Sequence, residues 1–397
     1  MPTASAKLAK KLGRPPTVAE VAAHKTKREA KKKAKREAAG TPAAGDGGAP
    51  PAKRARADGG GGGGGAAAAA AAGAPAAAAA PPPPDPTPGP TTIVLFYAYC
   101  PREMSRAQQT RAIAFCVGKL KEHGVTGRLR VAREGYNATL TGSAAGVRAF
   151  ASALVDFDAA TFGGTDFKYV DGLPANQALK GIKCWAVAEI VTYGFNPKNA
   201  PLASGGAHLA PAAFHAALTE EDAVVVDVRN YNESAIGRFA PPGTDVLDPM
   251  MRKSTEFPKW VEENRAKLEG KKVLMYCTGG VRCERASAFM GRAGIKNCFQ
   301  LEGGIHRYLE AYPEDGGHWI GKNYTFDRRF SHGAANAATI SACVHCASPW
   351  DRYQAQAKCG KCGIEVLLCR PCQRNPDGPP PKAALRCALC ASPKPAK

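Results

Sequence analysis

The chain has 397 residues, enough for two to three domains, with 54 Lys and Arg against 34 Asp and Glu, a formal charge of +20. So basic a chain, with half of the excess in its first 60 residues, suits an anionic partner such as nucleic acid. No apolar run approaches the roughly 20 residues of a membrane span and no secretory signal opens the sequence, so a membrane protein and a disulfide-rich secreted fold are not expected, and the 14 cysteines read as metal ligands, a reactive thiol or core filler.

Residues 1–90 read as a disordered basic tail and linker. A capping box at Thr17–Glu20 opens a charged run to about Ala39 that has no apolar stripe to bury. Glycine, alanine and proline runs follow, and these cannot build a core. The clusters KKKAK (31–35) and KRAR (53–56) fit a nucleic-acid or nuclear-import tail.

Globular sequence begins near Thr91. TIVLFYAYC (92–100) predicts a strand, 106–123 a helix stopped by Gly124, and GRLRVAREGYNATLTG (127–142) two strands around Gly135. A helix over 146–157 and strands at FKYV (167–170) and KCWAVAEIVTYG (183–194) complete a βαββαβ order, the ferredoxin-like pattern, over 91–195. Gly194–His208 reads as a linker. Over 205–331 the pattern changes to a parallel α/β sheet: strands at 223–228, 271–276 and 298–304, helices at 256–267, 283–291 and 305–312. A short cysteine-rich module occupies 340–392.

The central candidate is VLMY-CTGGVR-CERAS, which places Cys277 at the carboxyl end of a buried strand, where parallel sheets bind ligands. The loop Cys277-Thr278-Gly279-Gly280-Val281-Arg282 then runs into a helix. Its glycines let backbone amides curl inward as an anion nest, the helix N-terminus adds positive potential, and Arg282 adds a full charge. Each favours thiolate over thiol, as a nucleophile requires. The plain alternative is an inert buried cysteine in a strand-to-helix turn.

CTGGVRCERAS, with VVVDVRN (224–230), IGRF (236–239) and LEGGIHRYLE (301–310), resembles a rhodanese domain. More narrowly the chain is similar to the bacterial tRNA uridine hydroxylases (TrhO family) and the eukaryotic rhodanese-like domain-containing proteins over about 92–390. GRLRVAREGYNAT, FKYV and AEIVTYG resemble that family's N-terminal, acylphosphatase-like domain, although Glu134-Gly135-Tyr136-Asn137-Ala138-Thr139 departs from its usual EGIN-G-T. The resemblance implies that Cys277 is the catalytic thiol or persulfide carrier. The amides of Thr278, Gly279, Gly280, Val281 and Cys283, with the Arg282 guanidinium, would hold the anion. The six-residue cradle, one residue shorter than in related phosphatases, suits sulfur better than phosphate.

Other residues carry blander expectations. Asp227 and Arg229 are expected to support the loop. Cys283 is either a resolving thiol or helix packing. Glu284 and Arg285 are surface pairs or RNA contacts, His306 is packing rather than a base, and Cys100, Cys116, Cys184 and Cys298 are core filler. Four C-x-x-C pairs, Cys343/Cys346, Cys359/Cys362, Cys369/Cys372 and Cys387/Cys390, fit two closed structural zinc sites. Sequential pairing and a cross-brace both satisfy the spacing, and the short gap between Cys362 and Cys369 leans to interleaving. Arg352, Lys358, Arg370 and Arg374 beside Trp350 and Tyr353 are a possible grip on RNA or protein.

Three functions compete: a tRNA uridine-modifying enzyme, with 5-hydroxylation implied by the resemblance; a sulfurtransferase using thiosulfate or a persulfide donor; and a non-enzymatic interaction module. No organic cofactor is evident. The expected partner is tRNA, with a sulfur donor or small-molecule substrate as the second choice and no membrane. Cytoplasm or nucleus is the expected location, with an organelle left open.

Overall fold

The computed structural model describes residues 90–194, 200–376 and 378–391. The expected disordered tail lies outside the described residues.

The first sheet is built from β1 (Thr91–Tyr99), β2 (Thr126–Ala132), β3 (Gly135–Gly142), β4 (Lys168–Leu173) and β5 (Ile182–Ala186), in the order β4-β1-β3-β2-β5. The first four strands follow the ferredoxin-like order, and β5 adds to its edge parallel to β2. Two helices cover one face. α1 (Arg106–Glu122) starts at a Ser105/Gln108 capping box and buries Ala112, Cys116 and Leu120. α2 (Ala144–Phe157) is capped by Ser143 and buries Val147, Phe150, Ala151 and Leu154. They pack on Val94, Phe96, Leu129, Val131, Ala138 and Leu140, where each large apolar side chain contributes ~1.5–3 kcal/mol. Strand alternation turns Tyr97, Arg128, Arg130, Asn137 and Thr139 to the opposite, uncovered face.

The predicted strand over 183–194 is only partly realised: β5 ends at Ala186, and 187–194 leave the sheet. Side chains capture that backbone instead. Glu189 accepts the amides of Tyr193 and Gly194, and buried Glu134 accepts the amide of Ile190 at 2.9 Å.

The second sheet comprises β6 (Ala207–Leu209), β7 (Ala223–Asp227), β9 (Asp245–Leu247), β10 (Lys272–Tyr276) and β11 (Cys298–Leu301), ordered β6-β11-β10-β7-β9 and parallel throughout. The linker expected over 194–208 therefore ends in strand, because Ala207 and His208 pair with Phe299 and Gln300 at the sheet edge. Helices α3 (Pro211–Ala217) and α7 (Gly304–Ala311) cover one face, α5 (Phe257–Glu263) and α6 (Val281–Arg292) the other. Val224, Val226, Val273 and Met275 point to one core and Val225, Leu274 and Tyr276 to the other. That division is why these strands are apolar at nearly every position. The helix predicted over 256–267 breaks at Asn264, whose side chain takes the Trp260 carbonyl.

Two smaller elements matter for the site. α4 (Tyr231–Ser234) is one turn after β7, and β8 (Gly237–Phe239) pairs with β12 (Trp319–Gly321). Beyond β12, β13 (Asn323–Tyr324) and β14 (Ser331–His332) form a small hairpin. β15 (Tyr353–Lys358) and β16 (Glu365–Leu367) pair within the cysteine-rich module, whose core includes Cys343, Cys359, Val366, Leu368 and Leu385. Among the described residues no helix is long and apolar enough to cross a membrane.

Candidate active site

Cys277 follows the central strand β10, and its loop ends where α6 begins. Two glycines shape this turn. Gly280 has φ +99°, and a Cβ there would lie 2.9 Å from the hydroxyl oxygen of Tyr97 on the first sheet. At Gly304, with φ +68°, a Cβ would lie 2.6 Å from the Cys277 carbonyl oxygen and 2.7 Å from the Gly280 nitrogen, so a glycine is needed for the start of α7 to approach the loop this closely. That approach lets the Ile305 and His306 amides donate to the carbonyls of Cys277 (3.0 Å) and Thr278 (3.1 Å).

The Gly280 amide donates to Cys277 Sγ at 3.1 Å. The thiol is wholly buried, and burial by itself pushes its pKa up. A hydrogen bond from Cys283, the Arg282 charge and backbone amides of Arg282 and Gly279 outweigh burial and bring it down to about 5. Cys283 bears the counterpart: burial and the neighbouring Cys277 hold its own thiol well above the usual range. It is at once the packed residue of the first helical turn and the donor to its neighbour.

Arg282 is placed differently from a free anion-gripping fork. Its guanidinium binds Glu233 at 2.5 and 2.7 Å and Thr278 Oγ1 at 3.1 Å. Both partners are buried, and burial alone would push the Glu233 carboxyl up. The Arg282 and Arg229 charges reverse that and hold it below its ordinary value. Arg282 therefore acts on Cys277 through its field and by tying the loop to α4. Asp227 and Arg229 sit one layer below as a buried pair at 2.6 Å. Arg229 also donates to the Gly237 carbonyl, and the Tyr276 hydroxyl donates to Asp227 at 2.8 Å, fastening the ends of β7, β8 and β10 together.

Glu284 and Arg285 are internal joints rather than surface pairs. Glu284 accepts hydrogen bonds from the Tyr97 hydroxyl (2.9 Å) and Gln300 (3.1 Å), and lies 3.0 Å from His208 Nε2. Buried Arg285 pairs with Glu134 and donates to the Ala200 carbonyl. Each ties the loop helix to the first sheet or to the edge of the second, because both side chains emerge on the side of α6 facing them.

Above the loop lies a cavity of about 410 Å³ between the uncovered face of the first sheet, the Thr278–Arg282 backbone and the β13–β14 turn. Arg128, Arg130, Lys168, Arg252, Lys253 and Arg329 line it, and no aspartate or glutamate does. His306 is buried in its wall and lies 3.2 Å from Glu310, without the alignment of a hydrogen bond.

Comparison with known proteins agrees with this architecture. Residues 91–189 match the UPF0176 acylphosphatase like domain, 210–311 the Rhodanese-like domain and 320–393 the Rhodanase C-terminal region. A Brucella anthropi protein named tRNA uridine(34) hydroxylase is 34% identical over 262 residues, covering 66% of this chain and 81% of that protein. One of the same name from Mesorhizobium japonicum is 34% identical over 283 residues, covering 69% and 87%. The chain belongs to the tRNA uridine(34) hydroxylase family of rhodanese-like proteins. Rhodanese-like domain-containing protein 6 of Arabidopsis thaliana is also 34% identical, over 72% of this chain but about half (51%) of the plant protein.

In this rhodanese-family chain the C-terminal cysteines form two interleaved groups, Cys343/Cys346/Cys369/Cys372 and Cys359/Cys362/Cys387/Cys390. Within each, the four sulfurs lie within 4.8 Å of one another. Separations of 3.5, 3.6 and 3.9 Å (Cys346–Cys369, Cys362–Cys387, Cys343–Cys372) bracket the edge of about 3.8 Å expected for a tetrahedron with 2.3 Å metal–sulfur bonds. The Cys369 amide donates to Cys343 Sγ at 3.3 Å. Both donor sets thus fit a four-thiolate metal ion. Tyr353, offered as a stacking face, is instead buried against Ile236 and Leu367, while Arg352, Lys358, Arg370 and Arg374 are exposed. Cys100, Cys116, Cys184 and Cys298 lie in or against the apolar cores, consistent with filler.

Sequence reasoning missed Glu233, Tyr97, Glu134 and Phe326. Glu134 left a trace in the motif Glu134–Thr139 and Glu233 one as the third residue after Asn230, whose amide it accepts at 3.2 Å. The role of Glu233 as partner of Arg282, 49 positions away, has no signature in sequence.

Proposed function

We propose that this chain is a tRNA uridine-modifying enzyme in which Cys277 is the catalytic thiolate or persulfide carrier, and that the reaction is the uridine hydroxylation its relatives are named for, at carbon 5 of a wobble uridine as the family resemblance implies. The observation that carries the reading is a thiol lowered to about 5 beneath a cationic cavity of about 410 Å³. A buried cysteine that only filled space would have its pKa raised, as at Cys298, pushed up to about 12 by burial. The loop amides of Thr278 to Cys283 and the Arg282 charge stabilise the anion, with Asp227, Arg229 and Glu233 holding the loop in place.

The two interleaved cysteine groups would each hold a structural zinc ion. Zinc supplies folding energy there and no chemistry, since four thiolates leave no open position. The division proposed is the one expected from the sequence: domains over 91–195 and 205–331 and a zinc module over 340–392. Cytoplasm or nucleus is the proposed location.

Sulfur transfer is the second reading, favoured by the same thiolate and its tight cradle. The cavity argues for the first, because thiosulfate would leave most of it empty. Mass spectrometry of tRNA nucleosides from cells lacking the protein, restored with wild type or Cys277→Ala, tests the proposal. Hydroxyuridine should fall in the null strain and return only with wild type. An unchanged level would sink it, and thiocyanate formed from thiosulfate and cyanide would then favour sulfur transfer.

A further inference from the structure

We propose that the cavity above Cys277 binds a single-stranded stretch of RNA, with one base stacked on Phe326 and the flanking phosphates held by Arg128, Arg130, Arg252 and Lys253. This rests on the RNA-modifying reading and says how that substrate is gripped.

The charge pattern carries the first half. Some arginines elsewhere on this chain pair with carboxylates, as Arg148 does with Asp171 and Arg307 with Asp166. Among the described residues, Arg128, Arg130, Arg252 and Lys253 form no ion pair with a carboxylate. Arg128 donates to the Phe326 carbonyl, and Arg252 to the Leu389 carbonyl and the Cys390 sulfur. Arg128 and Arg130 project side by side from β2, and burial together with the Arg128 charge depresses the Arg130 guanidinium. Like charges held this close on a wall without aspartate or glutamate are stabilised by an anion that arrives from outside. Several spaced cations suit a chain of phosphates, whereas one small anion would neutralise only one or two of them.

The second half comes from the β13–β14 turn. Phe326 lines the cavity yet is 48% exposed, a large apolar side chain left beside cations. It is held rather than loose: its ring packs edge-on against Tyr324 at 5.0 Å, and Arg282 lies 5.9 Å from its centroid. The turn that carries it is closed by the Thr325 amide donating to the Phe330 carbonyl at 3.0 Å and by an Asp327–Arg329 pair at 2.7 Å. A fixed aromatic face with a cationic track beside it is the chemistry that binds single-stranded nucleic acid. Unpaired bases can splay out and stack, whereas a duplex keeps its bases inside. The cavity opens between two walls, so the strand must be unpaired for a base to reach the loop over Cys277.

The test uses the full chain, a fluorescently labelled oligouridylate and a duplex RNA of equal length. Phe326→Ala should weaken oligouridylate binding about tenfold. Phe326→Trp should restore it, with indole fluorescence quenched as the base stacks. Arg128→Gln and Arg130→Gln should each weaken binding and each reduce the salt slope by ~0.7, while Arg148→Gln, outside the cavity, should change neither. Wild-type binding by both Phe326→Ala and Arg130→Gln, or a duplex bound as tightly as the single strand, would overturn the proposal. Binding and nucleoside analysis fail separately. Oligouridylate bound as described with hydroxyuridine unchanged in the null strain would remove the reaction and keep the cleft; the reverse would remove the cleft and keep the reaction.

Discussion

Cys277 and the eight C-terminal cysteines place the same side chain in two opposed settings. Cys277 is solitary as an anion, wholly buried, and stabilised by amides, a neighbouring thiol and an arginine that the protein supplies itself. The C-terminal cysteines stand four to a group with their sulfurs within 4.8 Å, and Arg252 touches one of the groups at Cys390. Ionising four thiols so close together requires a metal ion. In the proposed reading, one region favours a single reactive thiolate by surrounding it with fixed donors, and the other arranges its thiols where a metal ion could be held. The two are in contact. Tyr231 packs against the cysteine module and its hydroxyl accepts the Ala388 amide, and two residues further along the same turn Glu233 holds Arg282. Arg252 reaches from the cavity wall to Cys390.

The largest expected effect is at the reactive thiol. Cys277→Ala should abolish uridine modification while changing stability by only ~1 kcal/mol, read by nucleoside analysis and thermal unfolding. Loss of fold instead would mean that this cysteine is structural like the others.

Arg282→Gln comes next. It leaves Glu233 buried without its main counter-charge, which should cost ~3–5 kcal/mol. The Arg282→Gln/Glu233→Gln double variant should recover most of that stability, because no orphaned charge remains, but not the low pKa of Cys277. Denaturant unfolding and pH-dependent alkylation separate the two effects.

A chelator should act on the other region. We expect loss of hydrogen-exchange protection across the cysteine-rich module and at Tyr231–Ser234, with the parallel sheet still protected. Retained protection throughout would show that the module needs no metal.

The smallest effect on stability belongs to Cys283→Ala. The Cys277 thiol, at about 5, is deprotonated above that pH and protonated below it. Alkylation by iodoacetamide should therefore be flat through neutrality and fall about tenfold per unit below the midpoint. Removing the Cys283 donor should move that midpoint upward by more than Arg282→Gln does, since its hydrogen bond is the largest lowering influence. An unmoved midpoint would reduce Cys283 to packing.

Much of this molecule was legible in one dimension, because some constraints are local. Alternating or continuous apolar runs marked the strands, since burial on one face or two dictates that pattern at each position. The strand–Cys–glycine-loop–helix motif could be read from adjacent residues, because a nest of amides is built from consecutive backbone. Paired C-x-x-C knuckles announced candidate metal ligands for the same reason. What the spacing left open was which knuckle meets which; the fold interleaves them. Only tertiary structure decided that Arg282 is bound to Glu233, that Glu284 and Arg285 join domains rather than face solvent, and that residues 187–194 leave the sheet for Glu134 and Glu189. It also decided that a sheet face and a distant turn close over Cys277. Charged side chains choose partners by distance in space after the apolar cores have set the backbone, and their partners lie 49 to 187 positions away for the Arg282–Glu233 and Tyr97–Glu284 contacts. No periodicity in the chain encodes a separation of that kind.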